Sequence, residues 1–190
     1  MRKIIVSEMI SIDGFFAGPN GEIDWHNVDE EFNSIAIDLL KKVDTVLLGR
    51  VTYDLFVNFW PSALTDPRTS KNNLTIAKRL NDATKIVFSR SMSGAKWNNT
   101  VVMKDLSSGE IARLKNSTGK DIVVYGSGII VSELSRAGLI DELRLFVNPV
   151  VLGAGKLLLT DQGGRLHLKL LRTKTFRNGN VMLSYEPERK

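Results

Sequence analysis

The run Lys120-Asp121-Ile122-Val123-Val124-Tyr125-Gly126-Ser127-Gly128, continuing as Ile129-Ile130-Val131-Ser132-Glu133-Leu134, constrains the fold more than any other part of the chain. Ile122 to Tyr125 is an unbroken series of β-branched and aromatic residues, the pattern of a strand covered on both faces. Gly126 and Gly128 permit a sharp turn and a close backbone approach. The apolar spacing beyond them predicts a helix to Ala137, stopped by Gly138. A helix that starts directly after a strand aims its unpaired N–H groups and positive dipole end at the turn, which is a site for phosphate. A lone Gly-x-Gly is also the mark of a tight turn and nothing more, so its meaning depends on its company.

The company is two further strand ends of the same kind. Asp44–Leu48 reads as a buried strand that runs into Gly49-Arg50-Val51-Thr52-Tyr53, where Thr52 is expected to cap a helix and Arg50 to offer its guanidinium beside the helix start. Lys85–Phe88 reads as another strand, ending in Ser89-Arg90, and Val101–Met103 as a short one. Arg2–Met9 is apolar around Ile4, Ile5 and Val6 and reads as a first, central strand, its apolar run closed by Ser7 and Glu8. In parallel α/β sheets ligands lie beyond the carboxyl ends of the strands, so two helix starts and two arginines converging there suit a ligand with several phosphates. No Gly-x4-Gly-Lys-[Ser/Thr] loop occurs, and the third glycine of a Gly-x-Gly-x-x-Gly fingerprint is replaced by Val131.

Around these strands the periodicity predicts a helix over 27–43. Phe32, Ile35, Ala36, Leu39, Leu40 and Val43 share one face, and Asn27 with Glu30 is placed as a capping box. Further helices are expected from Ser70 to Leu80 and from Ser107 or Ser108 to Lys115. The segment Ser11-Ile12-Asp13-Gly14-Phe15-Phe16-Ala17-Gly18-Pro19-Asn20-Gly21 reads as a long glycine-rich loop, either a lid on the core or a ligand wall. Asp141–Pro149 alternates as a strand, and so do Leu166, Leu168 and Leu170; Arg177-Asn178-Gly179-Asn180 is a hairpin turn before Val181, Leu183 and Tyr185. The fold class is therefore α/β: a mixed, mostly parallel central sheet flanked by helices, with an antiparallel C-terminal hairpin, in one domain over 1–190.

With no Cys the chain has no disulfide, no thiolate metal site and no cysteine nucleophile. Its net charge of +5 is spread along the chain, without the dense Lys/Arg block of a nucleic-acid arm, and suits an anionic small ligand. No stretch approaches the roughly 20 apolar residues of a membrane helix, and the N-terminal apolar run is too short for a signal peptide, so a cytoplasmic protein without nucleic-acid or membrane partners is expected.

Taken together, Ser11-Ile12-Asp13-Gly14, Leu48-Gly49-Arg50-x-Thr52-Tyr53, Ser89-Arg90, Gly126-Ser127-Gly128, Gly138-Leu139-Ile140-Asp141-Glu142-Leu143 and Pro149-Val150-x-Leu152-Gly153-x-Gly155 resemble the dihydrofolate-reductase-like superfamily. Within it the chain resembles the reductase domain of the bifunctional riboflavin-biosynthesis deaminase/reductase, in a stand-alone form. The resemblance implies NADPH lying across the strand ends. Gly49, Arg50 and Thr52 would hold phosphates, Ser89 and Arg90 the 2′-phosphate, and Gly126, Ser127, Gly128 and Ile129 the pyrophosphate. Leu152 and Gly153 would lie against the cofactor or a second subunit, since a homodimer is also implied. A small heterocycle would then be the substrate, facing Asp13, Phe15 and Trp25, with Asp13 the first candidate for proton donor and Glu31 the second.

The chain departs from the family in three places. The zinc deaminase half requires cysteines this chain lacks. Phe15 stands where the riboflavin enzymes commonly carry a basic residue after Asp-Gly, and Asn33 lies near the position where folate reductases place a helix acid. The expected activity is thus an NADPH-dependent reduction like that of 5-amino-6-(5-phosphoribosylamino)uracil. The alternatives are a pterin-type reductase and a non-catalytic NADP-binding protein.

Overall fold

In the computed structural model, which describes residues 1–188, the chain builds one eight-stranded sheet and a separate two-stranded ribbon. The strands in chain order are β1 (Ile4–Ile10), β2 (Phe15–Ala17), β3 (Val43–Gly49), β4 (Thr84–Phe88), β5 (Thr100–Met103), β6 (Asp121–Val124), β7 (Glu142–Val147), β8 (Lys156–Leu157), β9 (Leu168–Thr175) and β10 (Val181–Pro187). The helices are α1 (Glu30–Leu40), α2 (Arg50–Phe59), α3 (Lys71–Asp82), α4 (Ser108–Asn116) and α5 (Gly128–Arg136). The sheet order is β5-β4-β3-β6-β1-β7-β10-β9, parallel throughout except that β10 runs antiparallel to β7 and to β9. The expected mixed, mostly parallel sheet with an antiparallel C-terminal hairpin is what forms.

Alternation along β1 sets the two layers. Ile4 and Val6 join Leu47, Ile122, Val124 and Leu143 on the face covered by Ile111 of α4 and by Ile130, Val131 and Leu134 of α5. Ile5 joins Val46, Leu48, Val87 and Val123 on the opposite face, under Leu39 and Leu40 of α1, Tyr53 of α2 and Ile76 and Leu80 of α3. Strands covered on both sides carry the continuous apolar runs seen in the sequence. Farther along the second face, Met9, Phe146, Phe176 and Met182 form a separate cluster against Phe32 and Ile35 of α1. Lys85 is fully buried on β4, where its ammonium donates to the carbonyls of Leu80 and Asn81 and lies over the Trp97 ring, closing the C-terminal turn of α3.

Three local expectations are corrected. First, α1 begins three residues later than predicted: Asp29, not Asn27, is the cap, accepting from the Phe32 amide at 2.8 Å. Asn27 is used elsewhere. Its N–H donates to the buried Asn148, and its side chain and carbonyl bond Asn178 and Asn180 of the β9–β10 turn, tying the chain entering α1 to the hairpin. Second, α1 stops at Leu40 and Val43 opens β3. Third, residues 11–21 are not wholly loop, because β2 pairs antiparallel with β8 through Phe15 and Leu157.

Candidate functional site

The three strand ends singled out by sequence lie side by side, since β3 is flanked by β4 and β6. Gly49, closing β3, donates its N–H to the carbonyl of Gly126 at 3.1 Å, so the turns before α2 and α5 are stitched together. Their glycines interlock. A Cβ on Gly49 would stand 2.8 Å from Ser127 Oγ, and one on Gly126, whose φ is +55°, would stand 2.6 Å from Thr52 Oγ1. The Gly126–Ser127 peptide is cis.

The caps separate these two helices from the rest. Asp29, Ser70 and Ser107 cap α1, α3 and α4 with side-chain oxygens. The caps of α2 and α5 are Gly49 and Ser127, and neither makes a side-chain cap hydrogen bond. Thr52 is thus not the helix cap expected of it; its hydroxyl packs on Gly126 instead. First-turn N–H groups have no partner within their own helix, so two uncapped helix starts face the same strand ends with donors to offer. Arg50 opens α2, half exposed and 3.2 Å from Asp54 one turn on. Arg90 is largely exposed beyond β4 and pairs with Asp105 at 2.6 Å. Ser89 is buried, and its Oγ accepts from the amides of Ser91 and Met92, which leaves its hydroxyl proton to donate. This donor set fits a polyphosphate anion.

The β2–β8 ribbon lies on the start of α5. A Cβ on Gly128 would sit 2.7 Å from the Leu157 carbonyl and 2.9 Å from the Phe16 ring. The glycine is therefore required by the ribbon's backbone. Gly128→Ala is expected to force the ribbon off α5 and to cost about 1–3 kcal/mol, read as a lower denaturant midpoint with faster amide exchange confined to residues 15–17 and 156–158. Ile129, beside it, is left exposed on the first turn of α5.

Asp13 is a clasp between two loops. Its carboxylate accepts from the N–H of Leu152 and of Gly153 at 3.2 and 2.8 Å. The Ser11 hydroxyl and these amides hold its pKa below the usual carboxylate value, so it is a poor proton donor. Leu152 and Gly153 are correspondingly occupied in holding Asp13. Glu31 accepts from the Arg177 N–H at 2.9 Å, which places it against the β9–β10 turn. Phe15 lies in β2, where a Cβ on Gly155 would meet its ring at 3.0 Å. Trp25 donates its Nε1–H to the Glu22 carbonyl and meets His26 edge-on at 4.5 Å.

Two features escaped the sequence reading. The first is Glu8, on β1 beside the glycine turn: the Gly126 N–H donates to its Oε1. Burial pushes this carboxyl up to about 8, with the Gly126 hydrogen bond opposing. The signal was an acid inside an otherwise apolar central strand. The second is a polar row under α1 that separates the two apolar clusters on that face. Ser7, Arg144, Ser184 and Arg172 stand in cross-strand register on β1, β7, β10 and β9. Glu142 Oε1 accepts from Arg144 at 2.8 Å, Ser184 at 2.7 Å and Arg172 at 3.1 Å. Burial alone would raise the Glu142 carboxyl, but its bonds to Ser184, Arg144 and Arg172 outweigh that and leave it below its usual value. Glu142 and Arg144 alternate with Leu143 and Leu145 in a strand, the one signal that they share a face.

A mostly parallel sheet with antiparallel last strands is the dihydrofolate-reductase-like fold. The solved structures agree on the fold. A putative riboflavin biosynthesis protein from Shewanella sp. PV-4 superposes with a TM-score of 0.74 at 22% identity, over 98% of this chain and 99% of that one. Dihydrofolate reductase from Enterococcus faecalis, complexed with NADP(H), gives 0.64 at 16% identity, over 98% and 97%. The Thermotoga maritima diaminohydroxyphosphoribosylaminopyrimidine deaminase/5-amino-6-(5-phosphoribosylamino)uracil reductase gives 0.66 at 17%, with 98% of this chain covering 56% of that one. By sequence, the uncharacterized protein YyaP of Bacillus subtilis strain 168 is 37% identical over 184 residues, 97% of this chain and 94% of the relative. The RibD C-terminal domain model matches residues 2–182, and the chain belongs to that family. Among the described residues no helix is long and apolar enough to cross a membrane.

Proposed function

We propose that the chain is a cytoplasmic NADPH-dependent reductase of a small heterocycle, of the 5-amino-6-(5-phosphoribosylamino)uracil type. The observation that carries this reading is the pair of uncapped helix starts at neighbouring strand ends, with Arg50 and Arg90 beside them. The first turns of α2 and α5, from Gly49, Arg50 and Thr52 and from Gly126 to Ile129, would hold the phosphates. Arg90 and the Ser89 hydroxyl would take the 2′-phosphate. When bound, the nicotinamide supplies a hydride; the chain supplies position and a proton. Phe15 and Trp25 would wall the heterocycle, and Asp13 would hold that wall closed. As part of the same proposal, two copies would pair along β9, the outer strand of the sheet, which leaves Leu170 and Leu171 exposed.

The test is titration with NADPH and NADH followed by tryptophan fluorescence. NADPH is expected to quench saturably and to bind more tightly than NADH. Arg90→Ala is expected to weaken NADPH roughly 10- to 100-fold, the worth of a charge-assisted contact, with NADH within about twofold. Equal losses for both cofactors would remove the 2′-phosphate assignment, and no binding of either would remove the reductase reading.

A further inference from the structure

Hydride transfer to a C=N or C=C bond leaves an electron pair on a neighbouring atom, which must take a proton. Asp13 is ionised and clasped by two amides, and Glu31 is bound to the β9–β10 turn. Glu8 is placed differently. It lies on the central strand, level with the glycine turn, where β1 no longer pairs with β6: their register ends at Val6 and Val124. Its carboxyl stands in the parting between the two strands, bonded to the Gly126 N–H, and its Oε1 is 3.6 Å from the side of Gly126 that also meets the Thr52 hydroxyl. It bonds the turn that leads into α5, the turn that Gly49 ties to the start of α2.

We propose that Glu8 is the proton-delivering acid of the site, on the reductase reading above. It holds a proton on its carboxyl until the substrate heteroatom gains its electron pair. The carboxyl O–H bond then breaks, the proton passes to that heteroatom, and the carboxylate regains a proton from water. The surroundings suit this role. Tyr125, directly after β6, is a titratable group that interacts electrostatically with Glu8 and also with Arg144 of β7. Burial raises the Glu8 carboxyl to about 8, and the residue is only partly exposed. A carboxyl serving only to brace the turn needs its acceptor oxygen and not its proton.

That difference is the test, made on the full-length protein with Glu8→Gln, which keeps the acceptor and the shape. Infrared difference titration is expected to show a protonated-carboxyl band in the wild type that fades only near pH 8 and is absent from the variant. NADPH affinity, by fluorescence, is expected to stay within about twofold. Single-turnover NADPH oxidation with a panel of oxidised pterins and aminopyrimidines is expected to fall roughly 100-fold or more, losing the high-pH limb seen in the wild type. A Glu8 band already gone at pH 6, or a variant with the wild-type rate, overturns the donor role and leaves the reductase reading intact. A wild-type protein that binds no NADPH, or oxidises none with the panel, overturns both together.

Discussion

Glu142→Ala is expected to lower stability by about 3–5 kcal/mol, because it strands a buried arginine. Glu142 and Arg144 are 8% and 7% exposed, and Ser184 is fully buried beside them. The attraction within such a cluster barely repays the desolvation of its charges, so its net worth when intact is small. Removing one partner is different, since Arg144 then keeps its charge with no carboxylate to face. Arg172 is half exposed and can turn to solvent. The prediction therefore has a second arm. The double variant Glu142→Leu with Arg144→Met is expected to recover most of the loss, because apolar residues of similar size remove both charges at once. Urea unfolding of the two variants decides it: equal losses would mean that Arg144 is not confined as the structure has it.

The second large effect is a pH dependence set by Glu8. Its folded pKa of about 8 lies above the ordinary value of 4.5. The folded state therefore binds a proton that the unfolded state has lost throughout that interval. The contribution is fully present below the lower value, falls as pH rises, and is gone above the upper one. At about 1.4 kcal/mol per unit, stability is expected to drop by on the order of 5 kcal/mol across the window. Glu8→Gln mimics the protonated acid and should flatten that slope and stabilise the protein at pH 8. Glu142 works in the opposite sense at acid pH. Its depressed pKa gives stability that is present above the unfolded value and lost as pH falls through the folded one. Denaturant midpoints of wild type and Glu8→Gln from pH 4 to 9 separate the two, and an unchanged slope in the variant would show that Glu8 ionises freely.

The parts of the fold legible in the sequence are those whose chemistry is local. The β3–α2 and β6–α5 units announce themselves by an apolar run, a glycine and a helix start, all within a dozen or so residues. The β2–β8 ribbon does not, because strands of three and two residues carry no period and exist only through each other. Asn27 and Asp29 are both good caps for α1, and only the tertiary fold decides between them, because three asparagines distant in sequence, Asn148, Asn178 and Asn180, claim the first. Thr52 reads locally as the cap of its own helix, while its actual partner is Gly126 in the turn after β6. Glu8 and the Ser7–Arg144–Ser184–Arg172 row depend on which strands are neighbours, and composition or spacing says little about that.

The position of β1 also bears on how the chain reaches its fold. The strand β1, early in this chain, lies in the middle of the sheet, and its two partners are β6 and β7, with Ile4 paired to Ile122 and Ile5 to Glu142. Until about residue 124 has been made β1 has neither neighbour, and until about residue 147 it still lacks β7. Each of these pairings must close a loop of more than a hundred residues, the kind of contact that slows folding and prolongs exposure of sticky surface. The β3–β4–β5 half can assemble earlier from nearer contacts. It would then wait with an open edge at β3, until β6 and β1 arrive together with the glycine turn and Glu8. On this topology the ligand site is completed in the same event that closes the sheet, so a chain that has not finished folding has no half-formed site to offer.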